Sequence, residues 1–386
     1  MPRFVLIVLD GCGVGPAPDA SEYGTTDPVS NTLGHVATSY GGLNLPSLGT
    51  LGIGNIIPIK GVQPNPHAPA RWGTLTETNA GKDTLAGHWE MMGIGLPIPF
   101  PTFPHGIPSS VQILIHDLCG HYPICNTAMS GTDAIRVFGD EHVTTGSPIC
   151  YTSADSVLQI AAHEDTFSLD TLYTLCERLR SQTDFGRIIA RPFIGSHGLY
   201  SRTENRRDWT LYPTSPSLLD TLYNHNIPIT LIGRTGELFP INDRTRVVNT
   251  RRNADHMRAV EAWLDLTSPH ESAFCFANFE DFDMLYGHRN DVIGFAQALE
   301  SLDTWTGEAL LPRLTGRDVI GFGADHGNDP TTISTDHSRE LTPFLCFGPG
   351  LTRFGAIEES ATLGTWAASI AAYFGVPTPL PSVSAL

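Results

Sequence analysis

The segment Phe4-Val-Leu-Ile-Val-Leu-Asp10 is apolar and rich in branched side chains, with no alternation of polar and apolar residues. This pattern predicts a strand that is buried on both faces of a sheet. Comparable runs recur in the C-terminal half, with helical periodicities between them, and the alternation predicts an α/β fold with a doubly wound, mainly parallel sheet. Further strands are expected at residues 227–232, 273–276, 319–322 and 344–347, and helices from Ser215-Pro216 onward and at 257–264, 292–302 and 361–374.

The middle of the chain has a different composition. Residues 96–108 contain five prolines, which indicates a domain boundary. We therefore expect a smaller α+β domain at residues 100–215, inserted into a core of residues 1–99 and 216–386. Within this inserted domain, strands are expected at residues 111–114, 149–152 and 188–194, and helices at 154–163 and 169–179.

Composition limits the class of partner. The 386 residues include 40 acidic and 23 basic side chains, a net charge of −17, so no broad basic surface for nucleic acid is expected. An anionic substrate would need bound cations and a few arginines for its recognition. The seven cysteines form no CxxC pair, which is typical of reduced thiols in a cytoplasmic protein. The apolar run at residues 4–9 is too short for a signal peptide or a membrane span.

Six acidic and histidine residues follow predicted strands. Because parallel strands end at one edge of a sheet, we expect these side chains to meet there. Each of them alone has an ordinary alternative as a turn, cap or surface residue, but their occurrence in several separate segments predicts a metal site. Carboxylates with imidazoles favour Mn²⁺, Zn²⁺ or iron over Ca²⁺. The candidate ligands are Asp10, Asp283, His288, Asp325, His326 and His337, and spacing alone leaves Asp281, Asp291 and Asp329 as neighbouring alternatives.

The stretch NAGKDTLAGHWEMMG at residues 79–93 contains a candidate nucleophile. Gly81 permits a tight turn before a predicted helix, so a hydroxyl there would face the free amides and the dipole of the helix N-terminus. Thr84 is the only hydroxyl residue between Gly81 and Gly93, and a neighbouring metal would activate it. The alternative is that Asp83 or Thr84 only caps the helix. Packing or supporting roles are expected for His88, Trp89 and Glu90.

Several motifs, in order along the chain, resemble those of the phosphopentomutases, a family of the alkaline-phosphatase superfamily. The most specific motifs are AGKDTLAGHWE around Thr84 and YTSADSVLQIAAHE at residues 151–164. The Asp-His-Gly element of ADHGNDPTTISTDH, at residues 324–337, is common to the superfamily. Further matching motifs are VLIVLDGCGVGPAPDA, NTLGH, SGT, ARPFIG and FDMLYGHRND. The resemblance extends over residues 4–350.

The resemblance implies a role for each candidate residue. Thr84 would bridge two Mn²⁺ ions and carry a phosphoryl group, and the inserted domain would be a cap that binds a sugar phosphate. One ion would be held by Asp10, Asp325 and His326, and the other by Asp283, His288 and His337, which selects Asp283 over Asp281. The matching substrate-side positions are Ser153, Asp155, Arg191 and Arg206. Their ordinary alternatives are a helix cap for Asp155 and surface ion pairs for the two arginines.

Three places depart from the family pattern, and one of them is Cys12, where another small or apolar residue is expected. Arg234 stands where lysine is usual, and although both side chains bind phosphate, their geometries differ. Leu85-Ala86 stand where threonines commonly follow the nucleophile. These departures leave the role of Arg234 open.

The implied activity interconverts α-D-ribose 1-phosphate and ribose 5-phosphate, and the 2-deoxyribose pair, through phospho-Thr84 and a 1,5-bisphosphate, with a bisphosphorylated sugar as primer. Closure of the cap would exclude water. The main alternative is a two-metal phosphatase, phosphodiesterase or sulfatase on the same core. A sulfatase would use cysteine or serine, and a cofactor-independent phosphoglycerate mutase serine, in the place of Thr84. A metal-dependent binding protein without turnover would not require six ligands around a nucleophile.

Overall fold

The computed structural model describes residues 2–152, 156–379 and 382–386. The chain divides into a core domain, Met1–Pro99 with Pro213–Leu386, and an inserted domain, Phe100–Tyr212. The strands are β1 (Pro2–Leu9), β2 (Ala70–Leu75), β3 (Ile124–Ala128), β4 (Ile149–Thr152), β5 (Val157–His163), β6 (Arg187–Ser196), β7 (Leu199–Arg202), β8 (Arg207–Thr210), β9 (Ile229–Ile232), β10 (Thr245–Val248), β11 (Ala273–Phe279), β12 (Arg317–Gly323), β13 (Thr342–Phe347) and β14 (Gly355–Ala356). The helices are α1 (Thr32–Tyr40), α2 (Pro46–Thr50), α3 (Thr84–Met91), α4 (Ser109–Cys119), α5 (Gly131–Thr145), α6 (Leu169–Arg180), α7 (Leu218–Asn224), α8 (Thr235–Leu238), α9 (Asn253–Leu266), α10 (Val292–Trp305), α11 (Leu311–Arg313) and α12 (Thr365–Phe374).

An eight-stranded sheet forms the centre of the core domain, in the order β10-β9-β11-β1-β12-β13-β2-β14. The first five strands are parallel to one another. β13 runs antiparallel to both β12 and β2, and the short β14 is parallel to β2. β1 is buried from Arg3 to Leu9 because it lies between β11 and β12 with a helical layer on each face. The strands expected in the C-terminal half are all present, and the prediction of a mainly parallel sheet is confirmed.

Helices cover both faces of this sheet. Val5 and Ile7 of β1 pack into a core with Val36 of α1, Val260 of α9 and Leu299 of α10. The intervening residues of β1 point to the opposite face, where the Phe4 ring meets the Tyr373 ring of α12 at 5.7 Å between centroids. Because successive side chains of a strand alternate between its faces, an apolar strand of this kind requires two helical layers, and the sheet is doubly wound as predicted.

The inserted domain has a mixed six-stranded sheet of its own. Its strands follow the order β3-β4-β5-β6-β7, and β8 pairs with β6. The pairs β3–β4 and β5–β6 are parallel, and the remaining pairs are antiparallel. Ile115 of α4 and Leu172 of α6 pack against one side of the sheet, and Ile135 of α5 packs in a separate cluster with Phe193. The domain is therefore an α+β unit with its own apolar core.

Three expectations for individual elements are wrong. Residues 111–114 belong to helix α4, and residues 157–163 form strand β5 rather than part of a helix. Both segments are short apolar runs, and such runs do not distinguish a buried strand from a helix. The helix expected from Ser215-Pro216 begins at Leu218, because the Ser217 side chain caps it in a capping box with Asp220.

The state of the cysteines and the hydropathy of the helices are as the sequence predicts. All seven cysteines are free thiols, and five of them are buried, where they pack as small apolar side chains. Across residues 2–152, 156–379 and 382–386, the structure contains no helix whose length and hydropathy would allow it to cross a bilayer.

Candidate active site

The six predicted ligands lie together at the carboxyl edge of the core sheet. Asp10 follows β1, Asp325 and His326 follow β12, and Asp283 lies in a π-helical turn (Phe282–Tyr286) shortly after β11. These strands are neighbours in the order β11-β1-β12, so their ends converge. Two compact groups result, in each of which the candidate ligand atoms lie within 4.8 Å of one another: Asp10, Asp325 and His326, and Asp283, His326 and His337.

His326 lies at the centre of the site. Its Nε2 atom is 3.4 Å from Oδ1 of Asp10 and 3.2 Å from Oδ2 of Asp325. Its ring is 4.0 Å from the ring of His337, measured between centroids. His326 therefore belongs to both compact groups, whereas the family resemblance places it only with Asp10 and Asp325.

The second group is built around Asp283. Its Oδ1 atom is 3.4 Å from Nε2 of His337, and its Oδ2 atom is 3.1 Å from Nε2 of His288. Asp283 and His337 are buried, but the side chain of His288 is 32% exposed, so it lies at the rim of the site. The π-helical turn that carries Asp283 is a local irregularity of a kind often found at functional sites.

Two asparagines that the sequence analysis missed hold the carboxylates in place. Asn278 Nδ2 donates to Asp10 Oδ2 at 2.6 Å, and Asn328 Nδ2 donates to Asp283 Oδ1 at 2.6 Å. Both asparagines are buried. A polar residue within an otherwise apolar strand is the signal that could have identified Asn278. Such partners orient ligand carboxylates, and their removal commonly lowers metal affinity or activity by about 10- to 100-fold.

The electrostatics of the site favour a bound cation. Burial, reinforced by the Asp325 and Asp283 carboxylates, raises the pKa of Asp10 to about 7. Burial also opposes the ionisation of Asp325, but His326 and His88 outweigh it and hold the pKa of Asp325 below its usual value. For His326, burial favours the neutral ring, but the Asp325 carboxylate outweighs this effect and raises the pKa to about 9. A divalent cation would relieve the repulsion among these carboxylates.

The donor atoms also fit divalent metals. Among the described residues, Asp10 Oδ1 and Asp325 Oδ2 are buried and accept no hydrogen bond. Buried carboxylate oxygens normally have a donor or an ion as partner. Because these oxygens face imidazole nitrogens within the two compact groups, the residues fit Mn²⁺ or a similar transition metal better than Ca²⁺.

Thr84 is the first residue of helix α3 and lies beside the ligands. Asp83 is the N-cap, and its side chain accepts hydrogen bonds from the amides of Leu85 and Ala86. The capping role therefore belongs to Asp83, which leaves the hydroxyl of Thr84 for other contacts. Thr84 Oγ1 lies 3.2 Å from His326 Nε2. A hydroxyl in this position combines the helix N-terminus with the metal-binding groups.

His88 connects helix α3 to the ligand set. Its Nδ1 atom is 2.9 Å from the carbonyl oxygen of Thr84 and 3.1 Å from Oδ2 of Asp325. The side chain is fully buried, in agreement with a supporting role.

A buried arginine, also missed by the sequence analysis, holds the segment that leads to Thr84. The Arg339 guanidinium donates to the carbonyl oxygen of Asn79 at 2.9 Å and to that of Glu77 at 2.7 Å. It also pairs with the Glu77 carboxylate at 2.8 Å. Arg339 is two residues from His337, so it ties the segment before Thr84 to the loop that carries His337. Periodicity and motif spacing give no signal for this contact.

The neighbouring acids have other partners. Asp281 accepts a hydrogen bond from the amide of Asn253 at 2.9 Å, at the beginning of helix α9. Asp291 caps helix α10, and Asp329 Oδ2 lies 2.6 Å from His35 Nδ1. None of these three acids belongs to the compact groups formed by the described residues.

Two of the substrate-side candidates of the inserted domain, Arg191 and Arg206, lie in a positively charged region. Arg206 forms a bidentate pair with Asp208 at 2.7 and 2.6 Å, and Arg191 Nε donates to Gln159 at 3.0 Å. Burial, together with the charge of Arg206, lowers the pKa of Arg191 to about 10. We define the arginine cluster as Arg191, Arg202 and Arg206, which all act electrostatically on buried Tyr151. The other two candidates, Ser153 and Asp155, lie outside the described residues.

Arg234 belongs to the core domain and lies at the end of β9. It is partly buried, and its Nε atom is 4.0 Å from the Glu237 carboxylate. Its charge acts on Glu280, whose pKa is raised to about 8 by burial and by Asp10. Arg234 therefore borders the metal centre without belonging to it.

Comparison with known proteins agrees with this geometry. The family model of the Metalloenzyme superfamily matches residues 219–378. The phosphopentomutase of Anaeromyxobacter dehalogenans is 43% identical over 378 residues, which cover 97% of this chain and 95% of that protein. The phosphopentomutase of Acetivibrio thermocellus is 40% identical over 390 residues, which cover 100% and 99%.

A solved structure supports the fold alone. The phosphoglycerate mutase of Leishmania mexicana superposes with a TM-score of 0.50 at 11% identity, over 99% of this chain and 97% of that one. At this identity the likeness carries no information on activity, but the sequence identities to the two curated relatives do. Because they extend over nearly the whole of each protein, the chain belongs to the phosphopentomutase family, whose members are isomerases.

Proposed function

We propose that the chain interconverts α-D-ribose 1-phosphate and ribose 5-phosphate, and the corresponding 2-deoxyribose phosphates, through a phosphothreonine at Thr84 and a 1,5-bisphosphate intermediate. The observation that carries the proposal is the position of Thr84. Thr84 is the first residue of helix α3, and its hydroxyl lies 3.2 Å from Nε2 of His326, within a set of buried carboxylates and imidazoles. Membership of the phosphopentomutase family supports the choice of a pentose phosphate as the substrate.

Two Mn²⁺ ions per chain complete the proposed site, although other divalent cations also suit its ligands. Asp10, Asp325 and His326 would hold one ion, and Asp283, His288 and His337 the other. When bound, the two ions would offset the negative charge of a phosphoryl group and favour the ionised hydroxyl of Thr84. Asn278 and Asn328 would keep the carboxylates in orientation, since each donates to a ligand oxygen at 2.6 Å.

The reaction requires two phosphoryl transfers at the same threonine. In the first, a sugar hydroxyl attacks the phosphorus of phospho-Thr84, and the bond from phosphorus to Oγ1 breaks. In the second, Oγ1 of Thr84 attacks the other phosphoryl group of the 1,5-bisphosphate, which restores the phosphothreonine and releases the isomer. A bisphosphorylated sugar is needed only to load Thr84 at the start. The dipole of helix α3 would favour the anionic group at this position, and Asp83 occupies the amides of Leu85 and Ala86.

The inserted domain is proposed as the cap that binds the sugar phosphate. Arg191 and Arg206 would hold the phosphate that is not being transferred, because guanidinium groups match phosphate oxygens in pairs. Ser153 and Asp155 are assigned to the sugar on the basis of the family motif alone. We assign Arg234 to phosphate binding on the same basis. The free thiols suit the reducing cytoplasm, where we expect the enzyme to act on small molecules and not on nucleic acid or membranes.

The test is direct observation of phospho-Thr84 together with isomerisation. The Mn²⁺-loaded chain is incubated with ribose 1,5-bisphosphate, and peptide mass spectrometry is expected to find one phosphate on residues 79–93. The same preparation should convert ribose 1-phosphate to ribose 5-phosphate. Thr84→Val, which keeps the shape of the side chain, should lose both signals. Release of inorganic phosphate as the main product would favour a phosphatase, and turnover by Thr84→Val would contradict the assignment of the nucleophile.

A further inference from the structure

The core domain contains a cleft of about 570 Å³ that shares a wall with the metal centre. It lies at the carboxyl ends of β9, β10 and β11, three parallel strands at one end of the sheet. The segment after β11 serves both sites: Asp283 and His288 belong to the candidate metal centre, whereas Met284, Leu285 and Arg289 line the cleft. Ligands of open α/β sheets bind at this edge, so a second binding site here would be next to the first.

The cleft is positively charged within an acidic protein. Four arginines and two glutamates line it, whereas the whole chain has a net charge of −17. The nearest ion-pair contacts of two of these arginines are long: Arg252 Nη1 lies 3.6 Å from Asp281, and Arg234 Nε lies 4.0 Å from Glu237. At these distances the guanidinium donors retain the capacity to bind an anion. The arginines of the cleft are Arg234, Arg251, Arg252 and Arg289.

One oxygen of a buried carboxyl group in the same cleft has no hydrogen-bond donor among the described residues. Glu280 is only 6% exposed, and within the described residues its Oε2 atom accepts no hydrogen bond. The His256 Nε2 atom is 3.7 Å away, beyond hydrogen-bonding distance. Gly233, with a φ of +77°, passes over this atom, and a β-carbon there would lie only 3.1 Å from it. Buried polar atoms normally have a hydrogen-bond partner, and a hydroxyl group of a ligand in the cleft would supply one to Glu280.

We propose that this cleft is a second sugar-phosphate site, in which the arginines bind a phosphate and Glu280 binds a sugar hydroxyl. The inference rests on the proposed function, since a 1,5-bisphosphate that exchanges its two ends must leave the arginine cluster between the two transfers, and the cleft would hold its phosphate during this exchange. A site that shares a wall with the metal centre meets this need within the core domain. It is additional to the arginine cluster of the inserted domain.

The test compares arginines on either side of one helix boundary. Arg251→Gln and Arg252→Gln remove charge from the cleft, whereas Arg258→Gln removes an exposed arginine of helix α9 that pairs with Asp255 and does not line the cleft. Binding of ribose 5-phosphate is measured by calorimetry on the full-length, Mn²⁺-loaded chain with Thr84→Val, which prevents turnover. Each cleft variant is expected to weaken binding at least fivefold, and Arg258→Gln less than twofold. Bound manganese and the melting temperature confirm that each variant is folded.

Substitution of Glu280 tests the second contact. Glu280→Leu should weaken binding of ribose 5-phosphate at least fivefold, and Glu280→Gln, which keeps an acceptor, should weaken it less. If both arginine variants and Glu280→Leu bind like Arg258→Gln, the cleft is not a sugar-phosphate site. Isomerisation by the unsubstituted chain is measured separately. If that chain is active and the cleft variants bind ribose 5-phosphate normally, only the proposed second site is refuted. If the unsubstituted chain does not isomerise ribose 1-phosphate, the proposed function is refuted, and calorimetry still decides whether the cleft binds the sugar phosphate.

Discussion

The metal centre of the core domain and the arginine cluster of the inserted domain are polar sites of opposite charge. The metal centre gathers buried carboxylates around His326, and burial, reinforced by the charges of Asp325 and Asp283, raises the pKa of Asp10. The arginine cluster gathers three guanidinium groups, of which Arg206 pairs with Asp208. The first site has an excess of carboxylates, and the second has an excess of guanidinium groups. A metal-bound phosphoryl group and a distal phosphate are the partners that would balance them.

The two sites also differ in how the fold positions them. The candidate ligands Asp10, Asp283 and Asp325 follow β1, β11 and β12, parallel strands whose ends converge at one edge of the sheet. The arginines lie on or beside β6, β7 and β8, where pairing is antiparallel and side chains depend on strand register. We infer that the core domain carries out phosphoryl transfer, and that the inserted domain determines whether a sugar hydroxyl or water accepts the phosphoryl group. Changes in the core should therefore abolish phosphoryl transfer, and changes in the inserted domain should redirect it.

The largest effect is expected from removal of a ligand carboxylate. Asp283→Asn should lose one of about two bound Mn²⁺ ions and at least about 10³-fold in kcat, because a metal supplies several kcal/mol of transition-state stabilisation. The matched control is Asp281→Asn, two residues away, whose carboxylate instead accepts from Asn253. It should retain both metals and most activity. Metal analysis and steady-state kinetics decide between the two acids, and the reverse result would show that Asp281 is the ligand.

The next effect distinguishes the inserted domain from the core. Arg191→Gln and Asp155→Ala should keep both metals and still form phospho-Thr84, but they should lose about 10²-fold in isomerisation. Water is present at roughly 55 M, so a sugar hydroxyl competes with it only when it is held in position. The ratio of inorganic phosphate to ribose 5-phosphate should therefore rise. Arg178→Gln, an exposed arginine in the last turn of α6, is the control. An unchanged ratio in both variants would remove the cap from the mechanism.

The sequence alone predicts the site residues whose positions are determined by the ends of strands. The apolar run before Asp10 and the strand before Asp325 could be identified as buried strands, and parallel pairing then brings their final residues together. The hydrogen bond from Asn278 to Asp10 could not be predicted, because it joins residues 268 positions apart and depends on side-chain packing. Strand β5 was predicted as part of a helix because its pairing with β4 and β6, and not its own composition, determines its conformation.

Acid stability offers a smaller test within the core. Burial lowers the pKa of His256 to about 4, below the value of about 6.5 expected in the unfolded chain. The unfolded state therefore binds the proton more readily, and the stability from this group is present above pH 6.5 and is lost as the pH falls towards 4. Between pH 7 and 4.5 the loss should be about 2 kcal/mol.

The measurement compares the parent with His256→Gln by thermal melting at both pH values. The variant should be less stable at pH 7, and its deficit should shrink at pH 4.5, because glutamine does not titrate. Burial also lowers the pKa of His142 in the inserted domain, so His142→Gln should change in the same direction. A deficit in His256→Gln that is constant with pH would show that the ring is not held neutral in the folded state.

The smallest effects concern two helix caps, one in each domain. Asp83 accepts from Leu85 N at 3.0 Å and from Ala86 N at 3.1 Å, and Ser130 accepts from Asp133 N at 3.2 Å. Replacement of either cap by alanine should cost about 1 kcal/mol of stability. The chemistry of the two caps is alike, but only Asp83 is adjacent to the proposed nucleophile.

Asp83→Ala and Ser130→Ala should therefore differ in turnover, although they should lose similar amounts of stability. In Asp83→Ala the first turn of α3 loses its anchor, so the Thr84 hydroxyl is held less firmly beside His326, from which it now lies 3.2 Å. Because a small misplacement of a reacting group lowers the rate steeply, kcat should fall about tenfold, whereas Ser130→Ala should leave kcat unchanged. Asp83→Asn keeps a cap without the charge and should recover most of the rate. If Asp83→Asn is as slow as Asp83→Ala, the charge of Asp83 matters for turnover and its hydrogen bonds alone do not explain the effect.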